Sequence, residues 1–327
     1  MTDELTGKSV FQYYSSVTAR QVEWLWYPYI PYGKITVIEG DPGDGKSSFI
    51  LQIAAKLTRG EAMPDGYQIT EPASVVYQCC EDDLADTIKP RLLAAGALCD
   101  KVAYIVDDDN SLTLCDERIT TVLAQTGARL LILDPLQSYL SQEGDMYSVG
   151  RIRNSLGKLS MIASKHRCAV VLIGHMSKTN GKKNVYRGLG SIDIAAVARS
   201  ILMITRDSDD PETRYMFPVK SSLAPEGAAI GFRFDRDTGF KWLGVCEPNV
   251  SPDDIPFSGH AGKIPDVSEL IASMLADGEM PSADVLERMS MYGVSDRTVY
   301  KVKRLLGIVS YRKGRVWYWR LHTESEE

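Results

Sequence analysis

The chain has 327 residues, 44% of them hydrophobic and 24% charged, with a formal net charge of −6. That length exceeds what one compact core usually absorbs and predicts one large and one small domain, while the composition excludes a disordered or fibrous chain. The acidic balance leaves any contact with a polyanion to local basic patches.

The first patterned segment is the β-branched run Ile35–Glu39, which leads through a glycine-rich turn into a helical pattern over residues 47–57. Short apolar runs recur at 74–80, 102–106, 130–133, 169–174 and 200–204, with helix-length segments between them. This alternation predicts an α/β fold, a mostly parallel sheet with helices on both faces. Residues 168–174 form the longest apolar run, far short of the roughly twenty residues of a membrane helix, and the polar N-terminus lacks a signal-peptide layout. Six scattered cysteines without a Cys-x-x-Cys pair argue against a zinc site or a disulfide framework. The expectation is a cytoplasmic protein with no membrane partner.

After Trp242 the pattern changes, and four prolines with two glycines mark a linker over residues 247–265. It separates a domain over 1–246 from one over 266–327. In the latter, Asp266 and Glu269 form a capping-box pattern before an amphipathic helix, a second helix starts after Ser282, and a third runs from a Ser295 cap to Gly307. Two strand-like runs around Gly314 follow, and three helices with a hairpin predict a winged helix.

The strongest motif is Gly40-Asp41-Pro42-Gly43-Asp44-Gly45-Lys46-Ser47, which matches G-x-x-x-x-G-K-[ST] between a strand and a helix. The glycines let backbone amides and the helix start, with Ser48, meet the phosphates of ATP; Lys46 reaches the β and γ oxygens and Ser47 a Mg²⁺ ion. Asp134 ends an apolar strand and is placed for a second contact with Mg²⁺; the plainer alternative is a turn aspartate before Pro135. Glu81, at the end of another predicted strand, is the candidate base for water attack, against the alternative that Glu81, Asp82 and Asp83 are acids of a helix first turn. His175 ends the strand near 169–174 and is a candidate γ-phosphate sensor, or else a structural histidine.

These residues together resemble the RecA-like hexameric ATPases, and most closely the RepA-like replicative helicases of plasmids, phages and integrated elements. The resemblance spans about residues 18–245 and rests on the aromatic lead-in from Trp26 to Lys34, the P-loop, Glu81-Asp82-Asp83 with Arg91, Asp134-Pro135-Leu136, Gly174 to Lys178, and Arg187 to Ser191 with Arg199. It implies a RecA-like P-loop NTPase core, Glu81 as catalytic base, His175 as phosphate sensor, and ATP bound between subunits of a homo-oligomeric ring, a hexamer. Such rings complete the site with a basic residue from the next subunit. The related DnaB-type helicases carry Lys-x-Arg there; this chain keeps Lys220 and has Ser222 in place of the arginine, so Lys220, Arg187 and Arg199 are the candidates.

Two basic segments stand out. Lys178, Lys182, Lys183 and Arg187 lie in a stretch without acids, and the resemblance puts that loop at the ring channel, where single-stranded DNA is the expected ligand. Tyr139, Tyr147 and Arg151 are a weaker second channel candidate. In the small domain, Arg297, Lys301 and Arg304 face outward on the third helix, and Arg312, Lys313 and Arg315 arm the hairpin, a layout for duplex DNA. The alternative is that Trp317, Tyr318 and Trp319 fill the core while the basic residues dock on a neighbouring subunit. The leading reading is a Mg²⁺-dependent ATPase and ring helicase of replication or repair. An ATP-switched winged-helix regulator and a filament-forming recombinase of the RecA/RadA kind are the alternatives.

Overall fold

The computed structural model describes residues 11–108, 111–140, 149–174, 192–207, 210–235, 239–246, 267–275, 278–291, 294, 296–314 and 316–321. Contacts divide the chain into two units, Met1–Phe257 and Ser258–Glu327. Among the described residues no helix is long and apolar enough to cross a membrane, and the six cysteines are free.

The large unit opens with a short antiparallel pair, β1 (Trp24–Trp26) and β2 (Ile30–Pro31). Then follow β3 (Ile35–Glu39), α1 (Lys46–Arg59), β4 (Val75–Cys79), α2 (Lys89–Ala94), β5 (Val102–Ala103), α3 (Glu117–Thr126), β6 (Leu130–Asp134), α4 (Val149–His166), β7 (Ala169–Ile173) and α5 (Ile192–Val197). β8 (Ser200–Arg206), β9 (Thr213–Ser221), β10 (Ile230–Asp235) and β11 (Gly239–Val245) complete it. One nine-stranded sheet runs in the order β11-β10-β9-β8-β3-β7-β6-β4-β5. From β8 to β5 every neighbouring pair is parallel. β3, β6 and β7 are buried at every position, as expected for strands covered on both faces. Ile38 and Ile173 pack toward α1 and α2, whereas Val37, Leu133 and Leu172 pack toward α3 and α4. This is the α/β architecture of a RecA-like P-loop core.

The chain leaves β3 for β4 on one side, with β7 and β6 between them, and later adds β8 on the other side. The strand order therefore reverses at β3 and opens a crevice beyond the carboxyl ends of the strands, where α/β sheets bind ligands.

The antiparallel extension β9-β10-β11 was not part of the sequence expectation. Its strands carry Arg214, Lys220, Arg233 and Lys241 among their apolar residues, and β11 alternates exposed and half-buried positions. Their apolar runs are short and broken by these charges, by Pro218 and by glycines. What secures them is an aromatic cluster in which Phe49 of α1 lies 5.3 Å from Phe232 and 5.4 Å from Trp242, with Trp26 6.3 Å away on its other flank. Trp26 is fully buried and donates its indole N–H to Asp65 at 3.0 Å, so the aromatic lead-in is a core plug.

The small unit contains α6 (Val267–Met274), β12 (Met280–Pro281), α7 (Ser282–Met291), α8 (Asp296–Leu305), β13 (Val309–Lys313) and β14 (Val316–Arg320). Its antiparallel sheet has the order β12-β14-β13. Ile271, Val285, Met289, Val299 and Trp319 are its most buried members. Of the three aromatic residues expected in this core, only Trp319 is fully inside; Trp317 is 52% exposed and Tyr318 half-buried. Asp266 and Ser295 lie outside the described residues.

Candidate nucleotide site

The loop between β3 and α1 takes a shape only glycine accommodates at two positions. Gly45 has φ +89°, and a Cβ there meets the Phe234 ring at 2.7 Å; at Gly40 a Cβ meets the Ile204 carbonyl oxygen at 2.4 Å. Pro42 and Gly43 are exposed, and Ser47 and Ser48 are half-buried in the first turn of α1, where backbone amides lack helical acceptors. Lys46 is only 5% exposed, and its ammonium donates to the carbonyls of Gly40 and Asp41, both at 2.9 Å. Burial lowers its pKa, opposed by the negative charges of Asp44, Asp134, Asp41 and Glu81. Asp44 accepts from the Asp41 amide at 3.1 Å, and burial raises its pKa, with the charge of Asp41 acting in the same direction.

Asp134 ends β6, in register with Cys79 at the end of β4. Glu81 follows two residues beyond Cys79, so both carboxylates stand at the carboxyl edge of the sheet, on the side of β3 toward β4. Asp134 is buried and accepts a hydrogen bond from the Tyr77 hydroxyl at 3.0 Å. Burial, reinforced by the Asp134 charge, holds the Tyr77 hydroxyl protonated far above its usual range. The three acids after β4 divide their tasks. Asp83 caps the turn Leu84–Ile88 by accepting from the amides of Ala85 and Asp86, Asp82 pairs with Arg91 at 2.6 Å, and Glu81 is exposed at the crevice.

The other flank of the loop is built by the antiparallel strands. Arg206, at the end of β8, donates to the Gly43 carbonyl at 2.8 Å and lies 3.8 Å from the Asp44 carboxylate. Arg214 of β9 is 8% exposed, with its guanidinium 4.4 Å from the centre of the Phe234 ring. Its pKa is lowered by burial first and then by the charge of Arg206. Sequence reasoning missed Tyr77, Arg206, Arg214 and Phe234. Nothing in their local spacing distinguishes them, and only the sheet register brings them to the loop.

Other sequence candidates lie elsewhere. Lys220 pairs with Ile201 at the start of β8, about 16 Å of strand away from Arg206, at the opposite edge of the sheet. Its ammonium donates to the carbonyls of Ala195 and Ala198 at 2.6 and 2.7 Å, closing the end of α5, and the structure does not bring it to the loop of its own chain. Arg199 is exposed near it. Tyr139 is 2% exposed within the core, which removes it as a channel residue, because a ring buried under α4 offers no face to a ligand. His175, Lys178, Lys182, Lys183 and Arg187 lie outside the described residues, as does Tyr147. In the small unit Arg304 and Lys313 are exposed, and Lys313 pairs with Glu279. The side chains of Arg297, Lys301 and Arg315 are outside the description.

The residues present fit a nucleotide with Mg²⁺. At Gly43 an added Cβ meets only a terminal nitrogen of Arg206, at 3.5 Å, which leaves room for a phosphate against the backbone. Ser47 and Asp134 offer the oxygen donors that magnesium prefers. Fold and loop together define a RecA-like P-loop nucleotide-binding core. A family model described as an AAA domain matches residues 5–181, more than half of the chain, and the chain belongs to that family. It is also similar to the DNA repair protein RadA of Streptococcus pneumoniae, 26% identical over 148 residues, covering 45% of this chain and 31% of that protein. RadA of Streptococcus pyogenes is 27% identical over 148 residues, covering 45% of this chain and 28% of the relative, and RadA of Halalkalibacterium halodurans is 26% identical over the same shares. The match thus spans about three-tenths of the length of these relatives.

Proposed function

We propose that the chain is a Mg²⁺-dependent ATPase that assembles as a ring, a hexamer, and couples hydrolysis to movement on single-stranded DNA as a helicase of replication or repair. The observation that carries this reading is the convergence of Lys46, Asp134 and Glu81 at the carboxyl edge of the sheet, where β3, β4 and β6 end. In this reading the loop amides and Lys46 bind the β and γ phosphates, and Ser47 and Asp134 hold the metal, which supplies charge stabilisation on the transferring phosphate. Glu81 orients and deprotonates the attacking water. His175 senses the γ-phosphate, and Lys178, Lys182, Lys183 and Arg187 grip the strand by its phosphates. The basic residue acting across the subunit boundary is Arg187, Arg199 or Lys220; for Lys220 this requires giving up the carbonyls of α5. Residues 1–246 form the ATPase domain, 247–265 the linker, and 266–327 a winged-helix domain that contacts duplex DNA through Arg297, Lys301, Arg304, Lys313 and Arg315. Support for the last point is the order of three helices followed by a hairpin.

The similarity to a DNA repair protein favours a second reading, a DNA repair ATPase, for which we take the RecA/RadA-like recombinase that assembles as filaments as the form to test. Steady-state ATP hydrolysis with and without a long single-stranded oligonucleotide tests the first, alongside a chain with Lys178, Lys182, Lys183 and Arg187 neutralised. Strong stimulation lost in that variant supports the motor, and a rate indifferent to single strands overturns it. Particle images with ATP then separate closed rings from filaments.

A further inference from the structure

The hairpin of the small unit ends in an aromatic side chain that its core does not use. In the register of β13 and β14, Arg312 stands opposite Trp317 and Ser310 opposite Trp319. Side chains two apart on a strand share a face, so Trp317 and Arg312 lie on the face that carries Trp319. Trp319 is 2% exposed and meets Tyr300 of α8 at 5.5 Å, with the Lys303 ammonium 4.8 Å from its ring. Trp317 therefore overhangs the core on the α8 side of the hairpin, and it is 52% exposed. Beside it on that face its cross-strand partner Arg312 is exposed, and between residues 297 and 320 the chain has eight Lys and Arg and no Asp or Glu.

A single exposed ring is ordinary on a protein surface, and it is the basic segment around the hairpin that points to a partner. A protein interface centred on it needs a contiguous apolar patch with charges excluded from its middle. Here the residue paired with Trp317 on the same face is a charged arginine, and the exposed Val316 points to the other face. The basic surroundings match a polyanion. Within a continuous duplex, however, only base edges and phosphates reach the grooves, and the flat face of an indole has no base to cover. Base faces become available where a duplex ends or its strands part, and stacking on an aromatic ring is then favourable and indifferent to sequence.

We infer that Trp317 is a stacking platform for an exposed base face, so that the small unit recognises duplex ends and strand junctions and not continuous duplex. This rests on the proposal that the small unit contacts DNA. The test uses the full chain and a labelled short blunt duplex followed by fluorescence anisotropy. Competitors are unlabelled short blunt fragments, rich in ends, and covalently closed circular DNA, which has none, compared per base pair. Wild-type protein is expected to be displaced far better by the fragments. Trp317→Ala should weaken binding to the open-ended duplex by roughly fivefold to 150-fold and bring the two competitors level, and Trp317→Phe should restore the preference. Equal competition in the wild type, or a preference that survives Trp317→Ala, overturns the inference. Binding abolished by Arg304→Glu with Arg312→Glu, but with the end preference intact in Trp317→Ala, removes the inference and leaves the DNA reading standing. No binding to any duplex removes both. A Trp317→Ala chain with unchanged DNA binding and altered oligomer size, read by light scattering, assigns the ring to a contact between copies and also overturns the proposal.

Discussion

Replacing Tyr77 by phenylalanine removes one hydroxyl and leaves the packing of the ring, which is 2% exposed. That hydroxyl is the hydrogen-bond donor to Asp134 Oδ2, at 3.0 Å. A hydrogen bond to a charged acceptor contributes about 1.5–3 kcal/mol, and losing the group that orients a metal-binding carboxylate costs roughly 10–100-fold in metal affinity. If Asp134 serves Mg²⁺, the loss must fall on the ion. The assay is ATP hydrolysis at fixed ATP across a Mg²⁺ titration, with thermal unfolding in parallel. The midpoint of the titration should rise at least about tenfold in Tyr77→Phe, with the rate largely recovered at saturating Mg²⁺. An unchanged midpoint with a lowered melting temperature refutes the reasoning and makes the hydroxyl a purely structural donor.

Glu81→Gln should cut hydrolysis by about 10²–10⁴-fold while a fluorescent ATP analogue still binds; loss of binding would instead make Glu81 a structural residue. Gly45→Ala introduces a Cβ 2.7 Å from the Phe234 ring at φ +89° and should destabilise the large unit by about 2–4 kcal/mol; Phe234→Leu should relieve part of that in denaturant unfolding, and simple additivity of the two changes contradicts the contact. Glu39 is 2% exposed, its Oε1 has no hydrogen-bond partner among the described residues, and burial pushes its pKa from 4.5 up to about 7. The folded chain thus holds this proton more tightly than the unfolded one, and the contribution to stability is full below pH 4.5 and declines until about pH 7. Glu39→Gln should match the wild type at low pH and exceed its stability above about pH 7 by about 2–4 kcal/mol, as read by urea unfolding; parallel pH curves for the two chains contradict this.

The parallel half of the sheet was legible because its strands are β-branched or nearly continuous apolar runs, a consequence of being covered on both faces. The glycine loop was legible from spacing alone, since its backbone shape demands glycine at fixed positions. The antiparallel half was hidden. Pro218, Lys220 and Arg214 interrupt β9, β11 alternates, and the stabilising contacts of Phe232 and Trp242 run to Phe49, far away in sequence. Site residues divide the same way. Lys46, Ser47 and Asp134 sit in local patterns, whereas Tyr77 reaches Asp134 only because β4 pairs with β6, a neighbour 57 residues on. Arg206 and Arg214 needed the fold of β8 to β10 before their position had any meaning. For Glu81 local sequence offered two readings, and the geometry of Asp82 and Asp83 shows which acids serve the helix turn.

The two carbonyls that hold the Lys46 ammonium bear on how tightly the loop can bind phosphates. A triphosphate that recruits this lysine must first strip it from Gly40 and Asp41, so the net gain is the difference between two sets of charge-assisted hydrogen bonds and not the whole of one. When the phosphates leave, the same carbonyls are waiting within the loop to receive the charge. In the proposed ATPase, the ammonium of an emptied loop therefore keeps its hydrogen bonds without water having to re-enter the buried site, which reduces the net affinity for phosphates.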